Sequence, residues 1–184
     1  NHLVPACDCP SMGADAPESE VLGLPYSRLD KVHEKEGYDR AKQAWLTIVQ
    51  ESPEKLSVLR NASEFFLFYD RKISEELLLK GQTLDAKDPE WSRLLGRLYS
   101  LELMSLPEGA VRKAAADKAY HQYKLAYDLS NAVGRDAILD NLARTAFAAG
   151  LNDDAKAYAT KMLDDDTDGW NLGNRIHYGN LIFG

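Results

Sequence analysis

The stretch "GYDRAKQAWLTIVQESP", residues 37–53, carries a clear helical pattern. Ala41, Trp45 and Ile48 are four and then three positions apart, and Pro53 follows five positions later. Because an α-helix has about 3.6 residues per turn, the first three side chains share one helix face. Proline cannot continue a helix, so the pattern predicts a helix that ends before Pro53.

The same spacing recurs three more times along the chain. The further copies are Leu77, Gly81, Leu84, Pro89; Ala119, Tyr123, Ala126, Asn131; and Ala155, Ala159, Met162, Thr167. The last position of each copy is expected to end a helix. Pro53 and Pro89 would begin the next helices, with Ser52 and Asp88 as their N-caps.

This repeated pattern resembles the tetratricopeptide repeat, a 34-residue helix–turn–helix unit. Gly37 would mark the turn before the first copy, and Gly150 the turn in "AAGLNDDAKAYATKML", residues 148–163. "WSRLLGRLY", residues 91–99, is similar to the first-helix signature of the family. The repeats are longer than 34 residues and the third has an insertion at 105–114, so a related superhelical repeat of helix pairs fits nearly as well.

The periodicity predicts an all-α chain with an extended arm at residues 1–25 and a helical-repeat domain at 26–184. We expect four helix pairs and one unpaired C-terminal helix, at 27–36, 38–51, 54–69, 73–86, 90–104, 110–131, 135–149, 152–164 and 170–183. The resemblance implies that the pairs stack into a right-handed superhelical solenoid. Small side chains would let neighbouring helices approach closely, at Ala41, Gly81, Ala119 and Ala155. Aromatic side chains on helical stripes are expected in the core, namely Trp45, Phe65, Phe66 and Phe68, with Tyr120, Tyr123 and Tyr127 more typical of core than of a ligand-stacking surface.

Composition excludes several classes of function. The formal net charge of −7 disfavours binding to bulk nucleic acid or to anionic membranes. The sequence contains no run of about 18 apolar residues, the length that a membrane-spanning helix requires. No nucleophile elbow or phosphate loop is present, so we expect neither an enzyme nor a cofactor. His2, Cys7 and Cys9 could supply three soft metal ligands, but the fourth is not obvious.

The family resemblance implies that the first helix of each pair lines a concave groove. Those helices carry arginine and asparagine in an otherwise acidic chain, and asparagine can pair with an extended backbone while arginine can grip a carboxylate. The candidate peptide-binding residues are Arg93, Arg97, Asn141, Arg144, Asn174 and Arg175. They predict a non-catalytic scaffold that binds a protein or peptide, partly through a carboxylate. The alternative for these side chains is that they are solvated or bridge neighbouring helices.

The last stretch, "NLGNRIHYGNLIFG" at residues 171–184, has the pattern of the first helix of a fifth pair. Its apolar residues are candidates for self-association, at Ile176, Leu181, Ile182 and Phe183. Three expectations stay open: the natural chain continues beyond residue 184, the helix docks on another subunit, or it folds back into its own groove. The second leads to an alternative function, a structural subunit assembled into an oligomer or fibre through the arm and this helix.

Overall fold

The computed structural model describes Lys31 and residues 35–164 of the chain. Within that part, helices follow one another without any strand. They are α1 (Lys35–Glu51), α2 (Leu56–Phe66), α3 (Arg71–Leu84), α4 (Pro89–Leu103), α5 (Ala110–Leu129), α6 (Ala132–Ala149) and α7 (Asn152–Asp164). The prediction of an all-α chain is therefore confirmed for the described residues. The predicted arm at 1–25 and the predicted helix at 170–183 lie outside them.

Local capping explains where several helices begin and end. Asp88 caps α4, because its side chain accepts a hydrogen bond from the Glu90 backbone N–H at 3.0 Å, and Pro89 follows in the first turn. Gly150 ends α6 in the left-handed region, at φ 79°, as the sequence predicted. Asn131 was expected to end the helix before it. Instead its side chain accepts from the Gly134 N–H at 2.9 Å and caps α6, which therefore begins at Ala132 and not at 135.

The turn predicted at Gly37 is wrong. Helix α1 runs without interruption from Lys35 to Glu51, so Gly37 falls in its first turn. Tyr38, Ala41 and Trp45 are buried along one stripe of this helix. Burial of Tyr38 extends the stripe back to the start of α1, which outweighs the weak helix preference of glycine.

The start predicted for the next helix at Pro53 is also wrong. The Ser52 N–H still donates to the Ile48 carbonyl at 2.9 Å, so Ser52 completes α1 and does not cap α2. Helix α2 begins at Leu56, after Lys55, whose side chain makes no capping hydrogen bond. Leu56 is the first residue after the turn that packs on the core, and that contact sets the start of the helix.

Consecutive helices pack on each other, and some side chains also reach the next helix but one. All helix pairs with extensive contact are neighbours in sequence. Side chains also cross between alternate helices: the Gln82 amide of α3 donates to the Gln122 side chain of α5 at 3.0 Å, and the Arg60 guanidinium of α2 lies 4.9 Å from the Trp91 ring of α4. Because each short loop reverses the chain, α2, α4 and α6 run in the same direction.

Small residues hold the helices close together, as predicted. Ala41, Ala119 and Ala155 are buried. At Gly81, a Cβ would lie 2.4 Å from Trp91 Cζ3, a distance that real contacts do not reach, so the indole packs directly on the α3 backbone. The stripe of small residues is therefore a packing feature.

The predicted aromatic core is correct except at one residue. Trp45, Phe65 and Phe66 are buried, and Tyr120 and Tyr123 are buried on α5. Tyr127 is only partly buried, and Phe68 is exposed. Phe68 was expected on the stripe of a helix over 54–69, but α2 ends at Phe66 and Phe68 lies in the following turn.

Candidate functional site

The candidate peptide-binding residues that the structure describes lie on α4 and α6, the two helices that pack on either side of α5. Arg93 and Arg97 are one turn apart on α4, and Asn141 and Arg144 are three residues apart on α6. The fold thus brings the two pairs to neighbouring, co-directional helices. The other two candidates, Asn174 and Arg175, lie outside the described residues.

Two of these arginines are already engaged by carboxylates of their own helix. Arg93 donates from Nε to Glu90 at 2.6 Å and from Nη2 to the other oxygen of the same carboxylate. These hydrogen bonds raise the pKa of Arg93, against the effect of its partial burial. Arg144 donates from Nε to Asp140 Oδ1 at 2.8 Å. Both ion pairs lie within a single helix, whereas the alternative predicted from the sequence was solvation or bridging between neighbouring helices.

Arg97 differs from both. It is exposed, and among the described residues it makes neither an ion pair nor a hydrogen bond. It points away from the buried stripe formed by Leu94, Leu95 and Leu98 on the same helix. Its guanidinium therefore keeps its donors available for an anionic group from outside the chain.

Tyr123 of α5 lies under this part of α4. Its ring packs on the backbone of Gly96, where a Cβ would be 2.8 Å from Tyr123 Cδ1, so only glycine admits the ring. The Ser100 hydroxyl, one turn further along α4, is buried and has no hydrogen-bond partner of good geometry. Tyr123 thus extends along α4 from Gly96 towards Ser100.

Charged groups of both α4 and α6 act on the hydroxyl of Tyr123. Burial raises the pKa of Tyr123, the Ser100 hydroxyl and the positive charges of Arg93 and Arg97 oppose that rise, and the negative charge of Asp140 adds to it. We call Arg97, Tyr123 and Asp140 the polar patch. Arg97 of this patch is exposed, Asp140 is partly exposed and Tyr123 is buried.

A second, apolar feature lies further along the same two helices. Met104, at the end of α4, is 81% exposed, and Phe147 of α6 is 56% exposed. The ends of the two helices contribute Leu103 and Ala149 to one buried cluster with the start of α5. We call Met104 and Phe147 the apolar patch. Met104 is seven residues after Arg97, and Phe147 is seven after Asp140, which is about 10 Å along a helix.

Sequence reasoning missed the apolar patch, whereas it correctly favoured the core over a ligand-stacking surface for Tyr123. A signal for the apolar patch was present. Large apolar residues seven positions beyond Arg97 and Asp140 fall on the exposed polar face of their helices, where core packing does not require them. Gly96 gave no signal, because its role depends on the ring that packs on it from another helix.

Other predicted sites lie outside the described residues. These are the candidate metal ligands His2, Cys7 and Cys9 and the candidate self-association residues Ile176, Leu181, Ile182 and Phe183. Within residues 35–164, no group of three or more His, Cys, Asp or Glu side chains is arranged to hold a metal ion. The same part of the chain contains no helix with the length and apolar character needed to cross a membrane.

Comparison with known proteins adds no relative. No protein-family model matches the chain, and no curated protein matches it. The resemblance to the tetratricopeptide repeat therefore stays a hypothesis. A function for the polar and apolar patches has to be inferred from their own geometry and chemistry.

Proposed function

We propose that this protein is a non-catalytic scaffold that binds a protein or peptide on the surface formed by α2, α4 and α6. The observation that carries the proposal is Arg97, an exposed cation beside the Tyr123 hydroxyl whose charge is not compensated among the described residues. In an acidic chain where Arg60, Arg93 and Arg144 are held by carboxylates, such a group is suited to bind an anionic group of a partner.

We also propose that the helix pairs form a superhelix of the tetratricopeptide type, with these three helices on its inner side. Contacts between alternate helices support it: Tyr120 donates to Asp154 at 2.7 Å, and Lys161 donates to the Tyr127 hydroxyl at 2.6 Å. Both pairs join the same two helices, α5 and α7, and are 34 residues apart in sequence. Contacts between helices one repeat length apart are typical of stacked helix pairs.

Peptide selection tests the proposed function. A library of random twelve-residue peptides displayed on phage would be panned against the full chain, and enriched peptides would be synthesised with a fluorescein label. We expect peptides that bind measurably by fluorescence anisotropy. The variant Arg93→Ala/Arg97→Ala should bind them about tenfold or more weakly, which corresponds to about 1.4 kcal/mol. No enriched binder, or equal binding by this variant, would contradict the proposal.

A further inference from the structure

The spacing and chemistry of the two patches restrict what the surface can bind. The polar patch offers the exposed guanidinium of Arg97, which is suited to bind a carboxylate, whereas Tyr123 of the same patch is buried. The apolar patch offers the exposed side chains of Met104 and Phe147, about 10 Å further along the helices. One ligand that contacts both must carry an acidic group and an apolar group at that separation.

The distribution of exposed apolar residues favours an extended occupant over a helical one. A docked amphipathic helix requires a continuous apolar groove. On α4 and α6, the large apolar residues exposed near the patches are Met104 and Phe147 alone among the described residues, while Val133 is at the opposite end of α6. On α4 the partly buried Leu101 precedes Met104, and on α6 the exposed Arg144 precedes Phe147. The exposed apolar surface of these two helices is therefore interrupted by a charged side chain, which can pair with the backbone of an extended segment.

Residue spacing in an extended chain then fits the two patches. A polyproline II segment rises about 3.1 Å per residue and has three residues per turn. Side chains at positions i and i+3 therefore share one face and are about 9 Å apart. This matches the separation of the polar and apolar patches.

We infer that the scaffold binds an extended peptide segment of a partner protein that carries an Asp or Glu three positions from a Phe, Leu or Met. The acidic side chain contacts Arg97 in the polar patch, and the apolar side chain packs on Met104 and Phe147. This assignment rests on the proposed function and specifies the partner of the same surface. The charge of the occupant complements Arg97, whose charge the described residues leave uncompensated.

The peptides selected against the full chain provide the first test. We expect an acidic residue and a large apolar residue three positions apart in the enriched sequences. A consensus without an acidic residue, or one with the two groups seven positions apart as on a helix face, would overturn the inference.

A double-mutant cycle provides the second test. The enriched peptide and its Glu→Gln (or Asp→Asn) version would be titrated against the natural chain and against Arg97→Gln. Each single change should weaken binding about tenfold, and the two together should weaken it little further, because both remove the same contact. Additive effects would show that Arg97 does not contact the acidic residue and would overturn the assignment.

The apolar patch is tested in the same way with Met104→Ser/Phe147→Ser and a peptide whose apolar residue is replaced by Ser. Lys80→Gln, which removes an exposed cation from α3, is the matched control for Arg97→Gln and should leave the affinity for the peptide unchanged. Circular dichroism would verify that every variant keeps its helical fold. If Arg93→Ala/Arg97→Ala weakens binding while the acidic side chain of the peptide has no effect, the proposed function stands and this inference fails.

Discussion

The two halves of the described chain are packed in different ways. From α1 to α4 one continuous cluster contains large aromatic side chains, among them Trp45, Phe65, Phe66 and Trp91. From α5 to α7 the core divides into smaller clusters in which alanine is frequent, as at Ala126, Ala143, Ala146 and Ala159. The first half is held by side chains that reach across helices, and the second by helices that approach closely.

This difference predicts opposite sensitivities to mutation. Removing volume should be most harmful in the first half, because large buried side chains leave large cavities. Adding volume should be most harmful in the second half, because closely approaching helices have no room for a longer side chain. The proposed binding surface includes α4, the last helix of the aromatic half, and α6 of the second half.

The largest effect is expected from Trp91→Ala. Trp91 is fully buried between Gly81 of α3 and Arg60 of α2, so its loss removes contacts to two helices. The free energy of unfolding should fall by about 3–5 kcal/mol, measured by urea denaturation with circular dichroism. Leu79→Ala, at an exposed position of α3, is the control. A loss below about 1 kcal/mol would show that the aromatic cluster does not hold the first half.

A smaller loss of the free energy of unfolding is expected from Asp70→Asn. Asp70, at the start of α3, accepts hydrogen bonds from the Tyr38 hydroxyl and from Lys42 Nζ, the latter at 3.0 Å. Burial raises the pKa of Asp70, but the hydrogen bonds from Tyr38 and Lys42 and the charges of Lys42 and Lys31 outweigh it and lower the pKa overall. Replacing the carboxylate should cost about 1.5–3 kcal/mol at pH 7.

The same carboxylate gives a pH dependence. Because its pKa is lower in the folded state than in the unfolded chain, its contribution is present above the unfolded pKa of about 4 and is lost as the pH falls through the folded pKa. Urea midpoints of the natural chain should therefore decline below about pH 4 more steeply than those of Asp70→Asn. Parallel curves would contradict this account of Asp70.

In the second half, Ala143→Leu should destabilise by about 1–3 kcal/mol. Ala143 is fully buried on α6 in a cluster with Leu139, Ala159 and Met162, so a larger side chain forces the helices apart. Ala137→Leu, at an exposed position of the same helix, is the matched control and should change stability by less than about 0.5 kcal/mol. Equal stability of the two variants in urea would mean that the α6–α7 contact is loose.

The smallest effect is expected when a hydrogen bond between a tyrosine and a carboxylate is removed in each half of the described chain. Tyr99 of α4 donates to Glu75 at 2.6 Å, and Tyr120 of α5 donates to Asp154 at 2.7 Å. Tyr99→Phe and Tyr120→Phe should each cost about 0.5–1.5 kcal/mol, since each removes one partly buried hydrogen bond. Hydrogen exchange of the flanking helices would report the loss locally. A cost at Tyr99 with none at Tyr120 would show that the Tyr–acid bonds stabilise the first half only.

The sequence predicted much of this fold because its strongest signals are local. Helical periodicity located every described helix to within three residues at either end, and Asp88–Pro89 and Gly150 marked boundaries correctly. The errors at Gly37 and Pro53 share one cause. Both residues weaken a helix, but burial of Tyr38 and of Leu56 decided where the helices run, and burial is set by distant parts of the chain.

For the candidate site, too, the sequence indicated some features and only the structure showed the others. Arg97 was a candidate from residue type and helix position alone, whereas its difference from Arg93 and Arg144 became visible only when their carboxylate partners were located. The exposure of Met104 and Phe147, at the ends of two helices that both pack on α5, became visible only in the structure. Periodicity by itself determined which residues form helices, since that depends on neighbours three and four positions away. Only the tertiary structure decided which side chains meet across helices, because those contacts join residues on different helices, between 10 and 40 positions apart in the sequence.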